Sequence, residues 1–243
     1  MIFIKKSPAP AELEALKKEA EEKGLSDKEG YDHLKNPLKK QVRHALMCEQ
    51  GHLCAYCMRR IPDERISEED KNFSDIYIEH WQAISSENDT GQNKGLDHRN
   101  MLAVCSGNEK APKAPGKRKR RYFTCDKKRK NRTLKVNPLD ASTLETIYYT
   151  ADGKIRSTDY DIDNDIDVKL NLNQDAEAVT LPQNRKAVLD EIQAQLSSQD
   201  GDLLQNCIEQ LHIWESETDP KTPYIGIGIW WLKEQIGRLS GWI

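Results

Sequence analysis

Four short stretches decide how this chain reads: Cys54-Ala-Tyr-Cys57, Ile78-Glu79-His80-Trp81, Asn100-Met-Leu-Ala-Val-Cys105 and Thr124-Cys125-Asp126-Lys127-Lys128. Two cysteines separated by two residues can both bind one tetrahedral zinc ion, because the turn between them points both sulfurs inward. Cys54 and Cys57 have that spacing, and Cys105 and Cys125 are left to complete a four-sulfur set across a longer separation. The bland alternative is a loop pair without metal. Met1-Ile-Phe-Ile-Lys5-Lys6 has too short an apolar run for a signal peptide. A reducing, cytoplasmic setting is therefore expected, in which six cysteines suggest metal or thiols rather than disulfides. Cys48 and His52 are nearby alternative ligands, although Cys48 follows the apolar face of a helix, where buried cysteine is common. Cys207 falls in a helical apolar stripe and reads as core.

Glu79-His80 closes a predicted strand, Asp75 to His80. Hydrolysis of a phosphodiester needs a water deprotonated in line with the leaving oxygen, and a metal to hold the charge that develops there. Histidine titrates at ~6.5 when unperturbed and can take that proton, while a carboxylate such as Glu79 suits a hard divalent cation. Neighbouring strand residues face opposite sides, so a strand end must bring the two together. Asn100 follows a polar loop, where its amide would hold the loop or orient the histidine. From Lys110 to Arg132 there are twelve Lys or Arg and one acid, Asp126. Such a run, which includes Lys117, Arg118, Lys119, Arg120, Arg121, Lys127, Lys128, Arg129 and Lys130, attracts phosphate backbones without reading sequence. DNA is the expected partner.

As a set, Cys54-x-x-Cys57, Glu79-His80, Asn100, Cys105, and Cys125 followed by an acid and lysines resemble the HNH endonucleases with the ββα-metal core. Within them the chain is similar to the PtuB-like nucleases of Septu and retron-associated anti-phage systems. Further likeness lies in Ala45-Leu46, in Gly51 to Cys57, in Leu170-Asn-Leu-Asn173 and in Asn184-Arg185-Lys186. The resemblance implies structural Zn²⁺ on Cys54, Cys57, Cys105 and Cys125. It implies Mg²⁺ or Mn²⁺ near Glu79, His80 and Asp126, with His80 as general base and Asn100 in the middle position. It implies an ATPase partner of PtuA type. The third family position is usually His or Asn, but here a long insertion follows Cys105; Asp126 takes that position, with Asn108 as its rival. Two other readings remain: a zinc-stabilised nucleic-acid-binding adaptor without catalysis, and a stand-alone restriction-type nuclease.

The expected fold is α+β: a zinc-stapled ββα-metal core at residues 51–157, an N-terminal helical segment at 1–50 and a helical region at 158–243. Helices are predicted over 10–23, with Pro10 at the first position, and over about 36–50. After Pro182 come two more at helical spacing, split by Gly201-Asp202, and a last one over about 224–239. Thr146 to Arg156 reads as a β-hairpin around Asp152-Gly153. Of the histidines, His98 reads as solvated or as a phosphate contact; His33, His44 and His212 have no chemical neighbours. The chain of 243 residues is 37% hydrophobic and 32% charged with net charge −3, which fits a polar globular protein and not a polycation. No apolar run approaches membrane-spanning length. No Gly-Lys-Ser/Thr phosphate loop is present, which argues against ATP hydrolysis by this chain. The alternating aspartates from Asp159 to Asp167 lack the glycine and glutamate of a calcium loop and read as an acidic surface loop.

Overall fold

The N-terminal part is three helices: α1 (Ala11–Glu22), α2 (Asp27–Asp32) and α3 (Leu38–Glu49). The structure, a computed structural model, describes residues 1–62, 76–84, 94–109, 122–176 and 179–241. In α1 and α3 the apolar residues recur on one face: Leu13 and Ala20 in the first, Val42, Leu46 and Met47 in the second are buried. Pro10 precedes α1 as its N-cap rather than its first helical residue. The helix α2 was not anticipated, because six residues are too few to display a period. Its signal is a capping box: Glu29 N–H donates to Ser26 Oγ at 3.3 Å, and Ser26 N–H donates to the Glu29 carboxylate at 3.0 Å.

The part that carries the four cysteines is built on a two-stranded antiparallel pair, β1 (Tyr77–His80) and β2 (Met101–Val104), with Glu79 opposite Leu102 and His80 opposite Met101. All four residues of β2 are buried. Its free edge is closed by other groups: the Gln50 side-chain amide donates to Ala103 O and accepts from Ala103 N–H, both at 2.8 Å, and Ala55 N–H donates to the same carbonyl at 3.1 Å. A buried edge without such partners would leave backbone groups unsatisfied. A short helix, α4 (Cys125–Arg129), then packs under β1.

Beyond it, Ile4 N–H donates to Pro138 O at 2.8 Å, tying the first residues to the exit turn. The hairpin forms as expected from β3 (Ile147–Tyr149) and β4 (Ile155–Ser157). The acidic segment is not a surface loop: it folds into α5 (Tyr160–Asn164) and a π-helical turn, Asp165–Lys169. Sequence period misses this because the aspartates cap and anchor. Asp159 Oδ1 accepts from Asp161 and Ile162 N–H, and fully buried Asp165 accepts from Val136 N–H at 3.0 Å. After the two-residue strands β5 (Asp175–Ala176) and β6 (Val179–Thr180) come α6 (Leu181–Ser197), α7 (Leu203–Ser216) and α8 (Ile225–Leu239). Helices α7 and α8 approach closely at Gly228, where an added Cβ would lie 1.9 Å from the Trp214 ring. Cys207 is buried in α7, as expected. Trp230 and Trp231 are partly buried and pack against the core. The result is a mixed α+β protein, mostly helical with small sheets. Among the described residues no helix is long and apolar enough to cross a membrane.

Candidate metal centre and its carboxylate–histidine neighbours

Cys54, Cys57, Cys105 and Cys125 come together as one buried cluster, none of them in a disulfide. The Sγ atoms of Cys54 and Cys125, of Cys57 and Cys105, and of Cys105 and Cys125 are each 3.8 Å apart. Sulfurs ~2.3 Å from a central zinc at tetrahedral angles stand ~3.8 Å apart, so the donor set fits that ion. Local backbone sets the geometry. Met58 N–H closes the knuckle turn on Cys54 O at 2.9 Å, and Met58 takes a positive φ of 60°. Cys125 also has positive φ (53°), and its N–H is held by Leu170 O at 2.9 Å. Hydrogen bonds from Cys105, Cys125 and Cys54 pull the Cys57 thiol well down, while burial pushes Cys54 well up and contact with Cys105 does the same to Cys125. Four sulfurs at this spacing cannot all ionise without a cation among them.

Glu79 lies beside this cluster, 7% exposed. Tyr56, inside the Cys-x-x-Cys turn, donates its hydroxyl to Glu79 Oε1 at 3.1 Å, and Arg129 of α4 donates Nη1 to the same oxygen. Burial raises the Glu79 carboxyl from its ordinary 4.5 to about 8; the charge of Asp126 adds to the rise and Arg129 opposes it. Asp126, half-buried on the first turn of α4, therefore stands next to Glu79, and its charge is also felt at Tyr56 and Tyr31. The ligand atoms of Glu79, His80 and Asp126 do not all fall within 4.8 Å of one another, so the three do not form one closed shell.

His80 points the other way, as strand alternation requires. It is 7% exposed, and its Nε2 lies 3.0 Å from Gly95 O. A carbonyl only accepts, so Nε2 carries the proton and Nδ1 is the basic nitrogen. Tyr31 meets the ring edge-on, 4.7 Å between centroids. Burial lowers the imidazole from 6.5 to about 4, and Arg129 adds to the fall. Gly95 is pinned from α2: Lys94 N–H donates to Asp27 Oδ1 at 2.8 Å, and a Cβ on Gly95 would lie 1.9 Å from Asp27 O. Asn100 holds the loop after His80, accepting from Gln82 N–H at 2.7 Å and donating to Gln82 O and Lys94 O at 3.0 and 3.1 Å. The Asn108 amide is spent on Arg59, Tyr122 O and Thr124 Oγ1. His98 is not solvated: it is 2% exposed, 3.9 Å from Glu49, because the 3-10 turn His98–Asn100 tucks it under the strand pair.

Of the basic run, Lys117, Arg118, Lys119, Arg120 and Arg121 lie outside the described residues. Lys130 is exposed, Lys127 pairs with Glu109 at 2.5 Å, and Lys128 is half-buried. Arg129 departs from the surface role the run suggests. It is 1% exposed and donates to Glu79, Tyr56 Oη, His80 O, Trp81 O and Arg132 O. Sequence reading missed Tyr31, Tyr56 and Gly95 as site residues and gave Arg129 a phosphate contact in place of its buried bond to Glu79. Only Tyr56 carried a local signal, an aromatic residue inside the knuckle; the rest are brought in by tertiary folding. Comparison with protein-family models gives no match to this chain, and a search of curated proteins gives none either.

Proposed function

We propose that the β1–β2 pair and α4 make a zinc-stapled ββα-metal centre of HNH type, and that the protein is a metal-dependent endonuclease acting on DNA. The observation that carries this reading is His80. One ring nitrogen is anchored on Gly95 O and the other carries no proton, on the residue that follows Glu79, which is itself the neighbour of Asp126. His80 Nδ1 takes the proton from a water that attacks phosphorus as the bond to the 3′-oxygen breaks. Glu79 and Asp126 suit a hard divalent cation, because two carboxyl groups in contact carry charge that only a proton or a cation relieves. Mg²⁺ or Mn²⁺ there supplies charge stabilisation at the leaving oxygen. Asn100 keeps the loop after His80 in place, Tyr31 fixes the plane of the ring, and the lysines after Asp126 hold flanking phosphates. An ATPase partner in an anti-phage system belongs to the same reading, and α7 offers exposed Leu203, Ile208 and Ile213 for docking.

The second reading, a zinc-stabilised adaptor without catalysis, is favoured by the Arg129–Glu79 ion pair, which already satisfies one oxygen of the carboxylate. Plasmid cleavage with Mg²⁺ or Mn²⁺ and an EDTA control, with and without a PtuA-type ATPase, separates the two. The nuclease reading expects metal-dependent nicking that falls ~100-fold or more in His80→Ala, with zinc content unchanged. Equal cutting by that variant removes His80 from the mechanism, and no cutting by the wild type under any of these conditions leaves the adaptor.

A further inference from the structure

Cys48, His52 and Asp219 form a second group of metal-type ligands, separate from the four-sulfur cluster. Their ligand atoms all lie within 4.8 Å of one another, although they come from three places: the last turn of α3, the turn that follows it, and the connection between α7 and α8. His52 Nε2 is 3.0 Å from Asp219 Oδ1. Zinc ~2.0–2.3 Å from sulfur, nitrogen and oxygen ligands holds them roughly 3.3–3.6 Å apart, so small side-chain rotations complete the shell. His52 reaches this position through a left-handed backbone, φ 58°, following Gly51 at φ 61°. The α7–α8 connection is docked there independently: Lys221 N–H donates to Gly51 O at 3.0 Å, and a Cβ on Gly51 would lie 2.7 Å from Thr218 O. His44, one turn earlier on α3, places Nε2 3.6 Å from the Cys48 sulfur. A ring nitrogen at that distance can fix the direction of the Cys48 side chain.

We propose that Cys48, His52 and Asp219 bind a second zinc ion, with solvent in the fourth position, and that His44 orients the Cys48 side chain. Mixed sulfur, nitrogen and oxygen donors with one open position are a set that zinc accepts and that Mg²⁺ or Ca²⁺ does not. His52 and Asp219 are partly exposed (side chains 17% and 35%), so the ion enters from solvent and leaves more readily than one held by the buried sulfurs. Its effect is to clip the C-terminal helices to the end of α3.

The test is zinc itself. Metal-depleted full-length protein is titrated with zinc against a chromophoric chelator, and bound metal is counted after gel filtration. Two ions per chain are expected, one tight and one weak. Cys48→Ser, His52→Asn and Asp219→Asn each lower the affinity of the weak site by ~10-fold or more and leave the tight one. Asn is chosen at 52 because it tolerates positive φ, and Asp219→Asn, at an exposed residue, covers the case in which another variant misfolds. With Co²⁺ in place of zinc, Cys48→Ser removes the thiolate-to-metal absorption of the weak site alone. One ion per chain in the wild type, or a second ion that persists in all three variants, overturns the proposal.

Discussion

Replacing Arg129 by alanine discriminates sharply between two roles for this residue. If its guanidinium were a surface phosphate contact, alanine would weaken DNA binding and leave the fold alone. In the structure it is 1% exposed and bonded to a carboxylate, a phenol and three backbone carbonyls. Above about pH 8, where Glu79 is ionised, removing one partner of this buried ion pair costs about 3–5 kcal/mol, because the other is left uncompensated; below it the loss is that of hydrogen bonds to a neutral carboxyl and to carbonyls, about 1–3 kcal/mol. At ~2–4 °C per kcal/mol for a chain of this size, the larger loss should lower the melting temperature by roughly 6–20 °C. The pH dependence gives a second signature. Glu79 titrates at about 8 in the folded protein against an ordinary 4.5, so the folded state binds the extra proton, and stability is lost as pH rises through that window. Without Arg129 the carboxyl rises further, and the loss continues above pH 8 at up to ~1.4 kcal/mol per pH unit. Thermal melts at pH 6 and pH 9, with zinc present and no Mg²⁺, should show the larger deficit at pH 9. A shift below ~2 °C at both values, together with weakened DNA binding, would refute the buried assignment.

Three further outcomes are expected. Cys105→Ser should lose the tight zinc ion and unfold the region around β1, β2 and α4. Structural zinc contributes about 10–16 kcal/mol in zinc-finger peptides, comparable to the ~5–15 kcal/mol net stability of a whole protein; metal counting with circular dichroism checks it. The pH profile of cleavage should show no inflection near 6.5, because His80 titrates at about 4; at low Mg²⁺ the rate should rise towards pH 8 as Glu79 ionises, and more Mg²⁺ should shift that rise to lower pH. An Mg²⁺-independent inflection near 6.5 would instead mark an ordinary histidine. Gly95→Ala should cost about 1–3 kcal/mol by overpacking against Asp27 O and should reduce cleavage as well, since the displaced carbonyl is the one that anchors His80; unchanged melting and rate would contradict that placement.

The sequence by itself determined the Cys-x-x-Cys turn and the elements with a strong period. Cys-x-x-Cys spacing fixes two sulfurs through a local turn, and α1, α3, α6, α7, α8 and the β3–β4 hairpin announce themselves by apolar repeats or an Asp-Gly turn. It could not announce α2, which is shorter than two turns, or the helix within the aspartates, whose charge hides capping and one buried anchor. Only the tertiary structure decided that Cys105 and Cys125 complete the cluster, that Asp126 stands beside Glu79 while Asn108 is spent on loop contacts, and that His98 and Arg129 are buried. Those outcomes depend on contacts across 20 to 73 residues of chain, such as Cys105 to Cys125 and Tyr56 to Arg129. Local spacing carries no information about such contacts. A basic residue reads the same in sequence whether it meets phosphate outside or a carboxylate inside.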